Sequence, residues 1–493
     1  MDTIKINETD NVAVALKDLE KGSCISVSGR SVTLAEDIKR GHKIALEDIP
    51  EGSPVIKYGN RIGLATCHIT GGSHVHVHNM RTSLSEHAEY VYEPVSCPGP
   101  GHSDRTFMGY RRDDGKVGIR NEIWIIPTVG CVSSVAQKLA SSCQDLVKGS
   151  VDGLYCFTHP YGCSQMGDDH AVTRKVLAAL TRHPNAGAVL ILSLGCENLT
   201  MDQFRQELGS WDHKRVKFLT CQESEDELTE GRALLKELAD YAGGFSRIPV
   251  PVSELTVGLK CGGSDGLSGI TANPLAGRFS DRLISMGGST ILTEVPEMFG
   301  AESLLFNRCR SREVFDKAVA MVEDFKRYFT SHGQVVYENP SPGNKEGGIS
   351  TLEDKSCGCV QKGGSAQIED VLRYADTVAV KGLSLLSGPG NDLVSTTALT
   401  AAGAHMILFT TGRGTPFGAP APTVKISSNT HLYESKRGWI DFNAGTIADG
   451  ANSMDEAADA LAELVISIAS GEQTLSEKNG YREIAILKDG VTL

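Results

Sequence analysis

Three groups of residues in this chain carry the side chains for metal or acid–base chemistry, and most of them sit where an apolar run gives way to glycine. The stretch "GLKCGGSDGLSGITANPLAGRFSDRLISMGG", Gly258 to Gly288, sets Lys260, Cys261 and Asp265 among glycines, between a short buried strand and a helix. "AVLILSLGCENL" runs straight into Cys196, and "GLYCFTHPYGCSQMGDDH" reaches Cys163 with His159, Asp168, Asp169 and His170 close by in sequence. In open α/β sheets ligands collect at that end of the strands, where loops and helix N-termini leave N–H groups pointing outward. Three thiols in equivalent positions point to one shared centre. The alternative is that each is a small buried residue without reactivity.

Imidazoles come from "GGSHVHVHNM". Read as a strand, it places His74, His76 and His78 on one face, with Asn79 at its end. At about 3.3 Å per residue, neighbours stand about 7 Å apart and the outer two about 13 Å apart. Two of them can hold one ion at an imidazole–metal distance of about 2.1 Å, whereas all three cannot. A solvated polar face is the alternative. Arg413 in "TTGRGTPFG", followed by Lys425 in "PTVKI", suits recognition of a carboxylate, because a guanidinium binds both oxygens at once. Pairing of Arg413 with an internal acid is the competing explanation.

The elements that must position these groups divide the chain. At 493 residues it is too long for one core and predicts two to four domains. Residues 1–92 read as a small all-β unit of short alternating strands separated by glycine turns. Residues 93–107 are rich in Pro, Gly and Ser and read as a linker, with Cys97 inert within it. From 108 to 249 strands and helices alternate, which predicts α/β with a parallel sheet, and 250–493 continues that theme. The closing helix is marked by an apolar stripe of Met454, Ala458, Leu461, Val465 and Ile468.

Composition narrows the function. A net charge of -13 argues against nucleic acid as a partner and requires a local basic pocket for any anionic substrate. No uncharged apolar run approaches 18 residues and the N-terminus lacks a signal-peptide pattern, so a soluble, cytoplasmic protein without membrane contact is expected. Thirteen cysteines, an odd number, fit a reducing compartment better than a disulfide framework. No glycine loop has phosphate-binding spacing, which argues against a nucleotide cofactor.

With these stretches in view, the chain resembles the altronate/galactarate dehydratase family over its whole length. The resemblance rests on "HVHVHN", "VGIRNEIWIIPTVGCV", "YGCSQMGDDH", "SLGCEN", "CGGSDGLSGITANP", "LTEVPEMFGAE", "NPSPGNKEGG", "TTGRGTPFG" and "REIAILKDGVTL". It is nearer the altronate branch, since the galactarate branch differs after "YGC" and at the C-terminus. Cys357 in "SCGCVQKGG" departs from the family pattern and is given no role.

The resemblance implies an N-terminal β-clip domain of the SAF type, a middle domain that forms a dimer interface, hence a homodimer, and a C-terminal Rossmann-like variant with a mainly parallel sheet. It implies iron(II), with manganese(II) as a substitute, and a place in hexuronate breakdown. The expected reaction converts D-altronate to 2-keto-3-deoxy-D-gluconate and water, by removal of the α-hydrogen and loss of the β-hydroxyl.

For that reaction the expected metal ligands are drawn from His74, His76 and His78 with Cys163, Cys196 and Cys261, a donor set suited to iron(II). Three thiolates equally suit an iron–sulfur cluster with one open iron. Asp265, Lys260 and His159 are the acid–base candidates, and Arg413, Lys425 and Asn79 the substrate-binding ones. The competing functions are dehydration of another sugar acid such as galactarate, a metal-dependent hydrolase, and a sugar-acid binding protein without turnover.

Overall fold

The computed structural model describes residues 2–84, 90–336 and 341–492. Asn339 and Pro340, the first two residues of the "NPSPGNKEGG" stretch, lie outside the described residues.

The N-terminal unit is all β. Thr3–Ile4, Val12–Ala15, Lys43–Ala45 and His74–Val75 form an antiparallel sheet in that order. A hairpin of Cys24–Val27 and Arg30–Thr33 and a three-stranded sheet of Pro54–Lys57, Asn60–Ala65 and Met80–Arg81 complete it. The burial of Cys24–Val27 alternates residue by residue, as a strand with one face on a core requires. Lys43 and Lys57 break the apolar pattern, each fully buried in its strand.

Residues 93–105 carry no regular secondary structure, but they are not a free tether. Val95 N–H bonds Asn307 O, Gly101 N–H bonds Ile284 O, and Gln367 N–H bonds Pro98 O, which lays the segment along the C-terminal unit. The strand Thr106–Arg111 then pairs antiparallel with Ile248–Pro251 at the junction of the two α/β units.

The middle unit holds a four-stranded parallel sheet in the order Gly153–Cys156, Glu122–Pro127, Ala186–Ser193, Val216–Thr220. The C-terminal unit holds seven parallel strands in the order Ile368–Leu372, Gly382–Leu386, Ser289–Leu292, Thr256–Cys261, Met406–Thr411, Thr423–Ser427, Phe442–Asn443. The two units share one apolar core: Trp124, Phe157 and Leu177 pack with Leu399, Phe409 and Phe417. Helices Gly167–Thr181 and Asp392–Ala401 meet in that core, which fixes one sheet against the other.

The helix Leu352–Cys359 is buried at every residue. It lies between the β unit and the C-terminal sheet, and Asp354 on it accepts from Lys43 at 2.8 Å and from Lys57 at 3.1 Å. Burial works against all three charges. The two ammonium groups nevertheless hold the Asp354 carboxyl well below the usual range, while burial and Lys57 push Lys43 down to about 8. This bond set locks the β unit onto the C-terminal unit at one place.

Candidate active site

The structure corrects the expected histidine geometry. The strand stops at Val75, and His76 to Asn79 form a turn closed by Asn79, whose Oδ1 accepts from His76 N–H and whose Nδ2 donates to His74 O. Asn79 is therefore a buried turn-holder rather than a substrate ligand. Because the chain turns, His74 and His76 do not stand 7 Å apart on a flat face; their rings stack at 5.4 Å. The third partner is His42, which sequence reasoning missed. Its Nδ1 lies 2.9 Å from His74 Nε2, and the ligand nitrogens of His42, His74 and His76 all fall within 4.8 Å of one another. His78 is exposed at the rim, its ring 5.3 Å from that of His74.

These residues fit a metal ion on two counts. His42 Nε2 bonds Glu346 O at 3.2 Å and His76 Nδ1 bonds Ser350 Oγ at 2.7 Å, so the opposite nitrogen of each ring is left to face the trio. Metal-ligating imidazoles are oriented by such outer hydrogen bonds. The rings are also neutral: burial, with the neighbouring rings and Lys43, pushes His74 down to about 3 and His76 to about 4, and burial lowers His42. Neutral imidazole is the form that binds a cation.

The wall opposite the trio comes from the C-terminal unit. Gly266 packs directly on Gly41 and Gly347, where a Cβ would lie 2.1 Å from Gly41 O, so only glycine permits this approach of the two units. Arg413 donates to Gly343 O at 2.8 Å and reaches Glu346 Oε2 at 3.4 Å. Glu346 thus touches both Arg413, through its carboxylate, and His42, through its backbone. Asp265 lies at the same junction, but its oxygens accept from Leu267 N–H, Ser268 Oγ, Ser428 Oγ and Asn429 Nδ2. That makes it a brace between loops, not a free acid.

Behind this wall is a buried charge cluster. Cys261 Sγ lies 2.9 Å from Lys362 Nζ, 3.0 Å from Glu297 Oε2 and 3.6 Å from Cys359 Sγ. Lys260 bonds Glu294 and sits 3.0 Å from Asp392. Burial works against its charge, but the two carboxylates outweigh it and raise the Lys260 pKa, so the expected base is a locked cation. Glu294 takes a left-handed backbone, φ 73°, which is strained for a residue with a Cβ and lets its carboxylate accept from Cys261 N–H. Cys261, Glu297 and Cys359 also lie close enough to hold one ion.

The remaining expected residues do not converge here. Cys163 and Cys196 belong to the middle sheet: Cys163 contacts Asn198 and Cys196 contacts Gln222, and neither joins the Cys261 group. His159 is buried with both nitrogens taken, Nε2 by Pro127 O and Nδ1 by Tyr161 N–H. Lys425, on the strand Thr423–Ser427, is buried and clamps the preceding loop at Thr415 O and Phe417 O, so it does not face a substrate carboxylate. Of the expected basic pair, Arg413 alone is accessible, half-exposed beside the trio.

Comparison with known proteins agrees with this architecture. Residues 1–83 match the family described as the altronate/galactarate dehydratase SAF domain, 109–243 the second domain of D-galactarate dehydratase/altronate hydrolase, and 252–492 the D-galactarate/altronate dehydratase C-terminal family. The chain is 52% identical to the altronate dehydratase of Escherichia coli (strain K12) across the full length of both proteins. It is 53% identical to that of Bacillus subtilis (strain 168), covering 99% of each. The galactarate dehydratase (L-threo-forming) of Escherichia coli (strain K12) is 33% identical over 98% of this chain and 96% of its own.

Proposed function

The chain belongs to the altronate/galactarate dehydratase family and is a sugar-acid hydro-lyase; from that premise we propose that it dehydrates D-altronate to 2-keto-3-deoxy-D-gluconate, with a divalent ion, iron(II) or in its place manganese(II), held by His42, His74 and His76. The observation that carries the metal reading is the convergence of three neutral imidazoles, joined to Arg413 through Glu346, whose carbonyl meets His42 and whose carboxylate meets Arg413. When bound, the ion supplies Lewis acidity that stabilises the enolate-like charge.

The chain's own residues do the rest. Arg413 binds the substrate carboxylate through both oxygens, exchanging its weak exposed contact with Glu346 for the ligand. This fixes C2 over the trio. His78, exposed at the rim, takes the C2 proton, the C3–O bond breaks, and the His78 imidazolium returns that proton to the departing hydroxide as water; the enol then becomes the keto acid. Ser350 and the Glu346 carbonyl hold the rings in place. The Lys43–Asp354–Lys57 bond set keeps the β unit, and so the trio, against the C-terminal wall.

The test is anaerobic incubation with ferrous iron and a panel of aldonates and aldarates, with detection of a 2-keto acid. Keto acid formed from altronate faster than from the other substrates supports the assignment. Turnover of galactarate in preference to altronate, or turnover unaffected by a chelator, overturns it.

A further inference from the structure

All four strands of the middle sheet run, at their C-terminal ends, into a cysteine. Glu122–Pro127 leads to Cys131, Gly153–Cys156 to Cys163, Ala186–Ser193 to Cys196 and Val216–Thr220 to Cys221. The first three strands are adjacent in the sheet, and neighbouring strands lie about 4.8 Å apart. Their loops are also tied together. Gly130 N–H bonds Tyr161 O, Leu199 N–H bonds Gly162 O, and Ser164 N–H bonds Asn198 Oδ1. From these observations we propose that Cys131, Cys163 and Cys196 bind an iron–sulfur cluster through three protein thiolates, leaving one iron open to an oxygen ligand.

The thiols do not meet the spacing that a single ion requires. Two thiolates on one ion, each at about 2.3 Å, can stand no more than about 4.6 Å apart. Among the described residues the groups whose ligand atoms all fall within 4.8 Å are the histidine trio and the Cys261 group, and this thiol trio is not one of them. In a cluster each thiolate binds a different iron, so the sulfurs need not lie that close.

The loops are also built for a ligand. Cys131 and Cys196 are exposed and Cys163 half-buried, and all three are free thiols. Gln222 Nε2 donates to Cys196 Sγ at 3.4 Å, the kind of N–H to sulfur bond that tunes a cluster. Ser164, next to Cys163, is held at φ 56°, a strain that concentrates at functional sites. Gln165 in the same loop is 5% exposed, and its Nε2 has no partner. Cys221 is left out of the set because it follows Val216–Thr220, the strand beyond the three adjacent ones.

The site shares no residue with His42, His74 and His76, so it stands independently of the metal reading above. The experiment is purification of the full chain without oxygen, followed by iron and inorganic sulfide analysis and EPR of the dithionite-reduced protein. The cluster predicts about four sulfides and about four irons per chain, in addition to the ion of the histidine trio. Cys131→Ser, Cys163→Ser and Cys196→Ser should each abolish the sulfide and the EPR signal, whereas Cys97→Ser and His74→Ala should leave both unchanged. Alkylation of the unmutated protein gives a second measure, since Cys131 and Cys196 should be protected until the cluster is removed with acid. No inorganic sulfide in the anaerobic protein, thiols alkylated at the same rate before and after acid, or thiolate-bound zinc in place of iron would overturn the proposal.

Discussion

His42 Nδ1 and His74 Nε2 stand 2.9 Å apart, although 32 positions of sequence separate them. Only one proton can occupy that gap, and replacing it with a cation satisfies both lone pairs. His42 immediately precedes the strand Lys43–Ala45, which pairs with the strand of His74, Ile44 opposite His74, so the contact is a consequence of sheet register.

The outer hydrogen bonds give the first prediction. Ser350→Ala removes the group that orients His76 without touching a ligand atom. Affinity for manganese(II), read by EPR titration, should fall about 10–100-fold. Unchanged affinity would show that His76 is not oriented through Ser350.

Arg413 gives the second. Arg413→Ala should lower kcat/KM for the sugar acid about 10–100-fold, mostly through KM, because a charge-assisted pair is worth about 1.5–3 kcal/mol. Arg413→Lys should recover little, since an ammonium cannot bind both carboxylate oxygens. Steady-state kinetics on the two variants check this, and a fall in kcat with KM unchanged would remove Arg413 from substrate binding.

Asp354 gives the third. It is fully buried between Lys43 and Lys57, and Asp354→Ala leaves two buried cations without an anion. The cost should be about 3–5 kcal/mol, visible in urea unfolding. Limited proteolysis should then cut between Arg81 and Thr106 as the β unit undocks. A variant as stable and as resistant as the parent would contradict the locking role.

Acid should destabilise the fold in a defined window. Burial pushes His159, His183 and His405 down to about 4, 3 and 4. Above pH about 6.5 these rings are neutral both folded and unfolded and contribute no pH dependence. Below it the unfolded chain takes up protons that the folded one refuses, so stability falls as pH drops from about 6.5 towards about 4. Three such groups give a slope of up to about 4 kcal/mol per pH unit. Urea midpoints at pH 7 and pH 5 measure it, and equal midpoints would contradict neutral burial.

Elements were legible where periodicity was strong. The stripe of Met454 and its partners is the helix Met454–Ala469, and the apolar runs before Cys196 and Cys261 are parallel strands. The site was less legible, because its geometry depends on a turn and on pairings far apart in sequence. Nothing in "HVHVHN" shows that the strand ends at Val75, and nothing in "KRGHKIAL" marks His42 as the partner of His74. Lys260 illustrates the same limit: its strand position was readable, but the two carboxylates that lock its charge come from residues 294 and 392. Cys359, two residues beyond a cysteine given no role, becomes visible only when its helix packs Cys359 against Cys261.

The central claim is that His42, His74 and His76 hold the ion needed to remove the α-proton. Ferrous-dependent turnover of D-altronate by His42→Ala tests it most directly, alongside circular dichroism to establish that the variant is folded. Loss of one of three ligands should give a folded protein whose turnover falls at least about 100-fold and is not restored by excess iron. A folded variant that turns over altronate at the parent rate with the same iron requirement would contradict it.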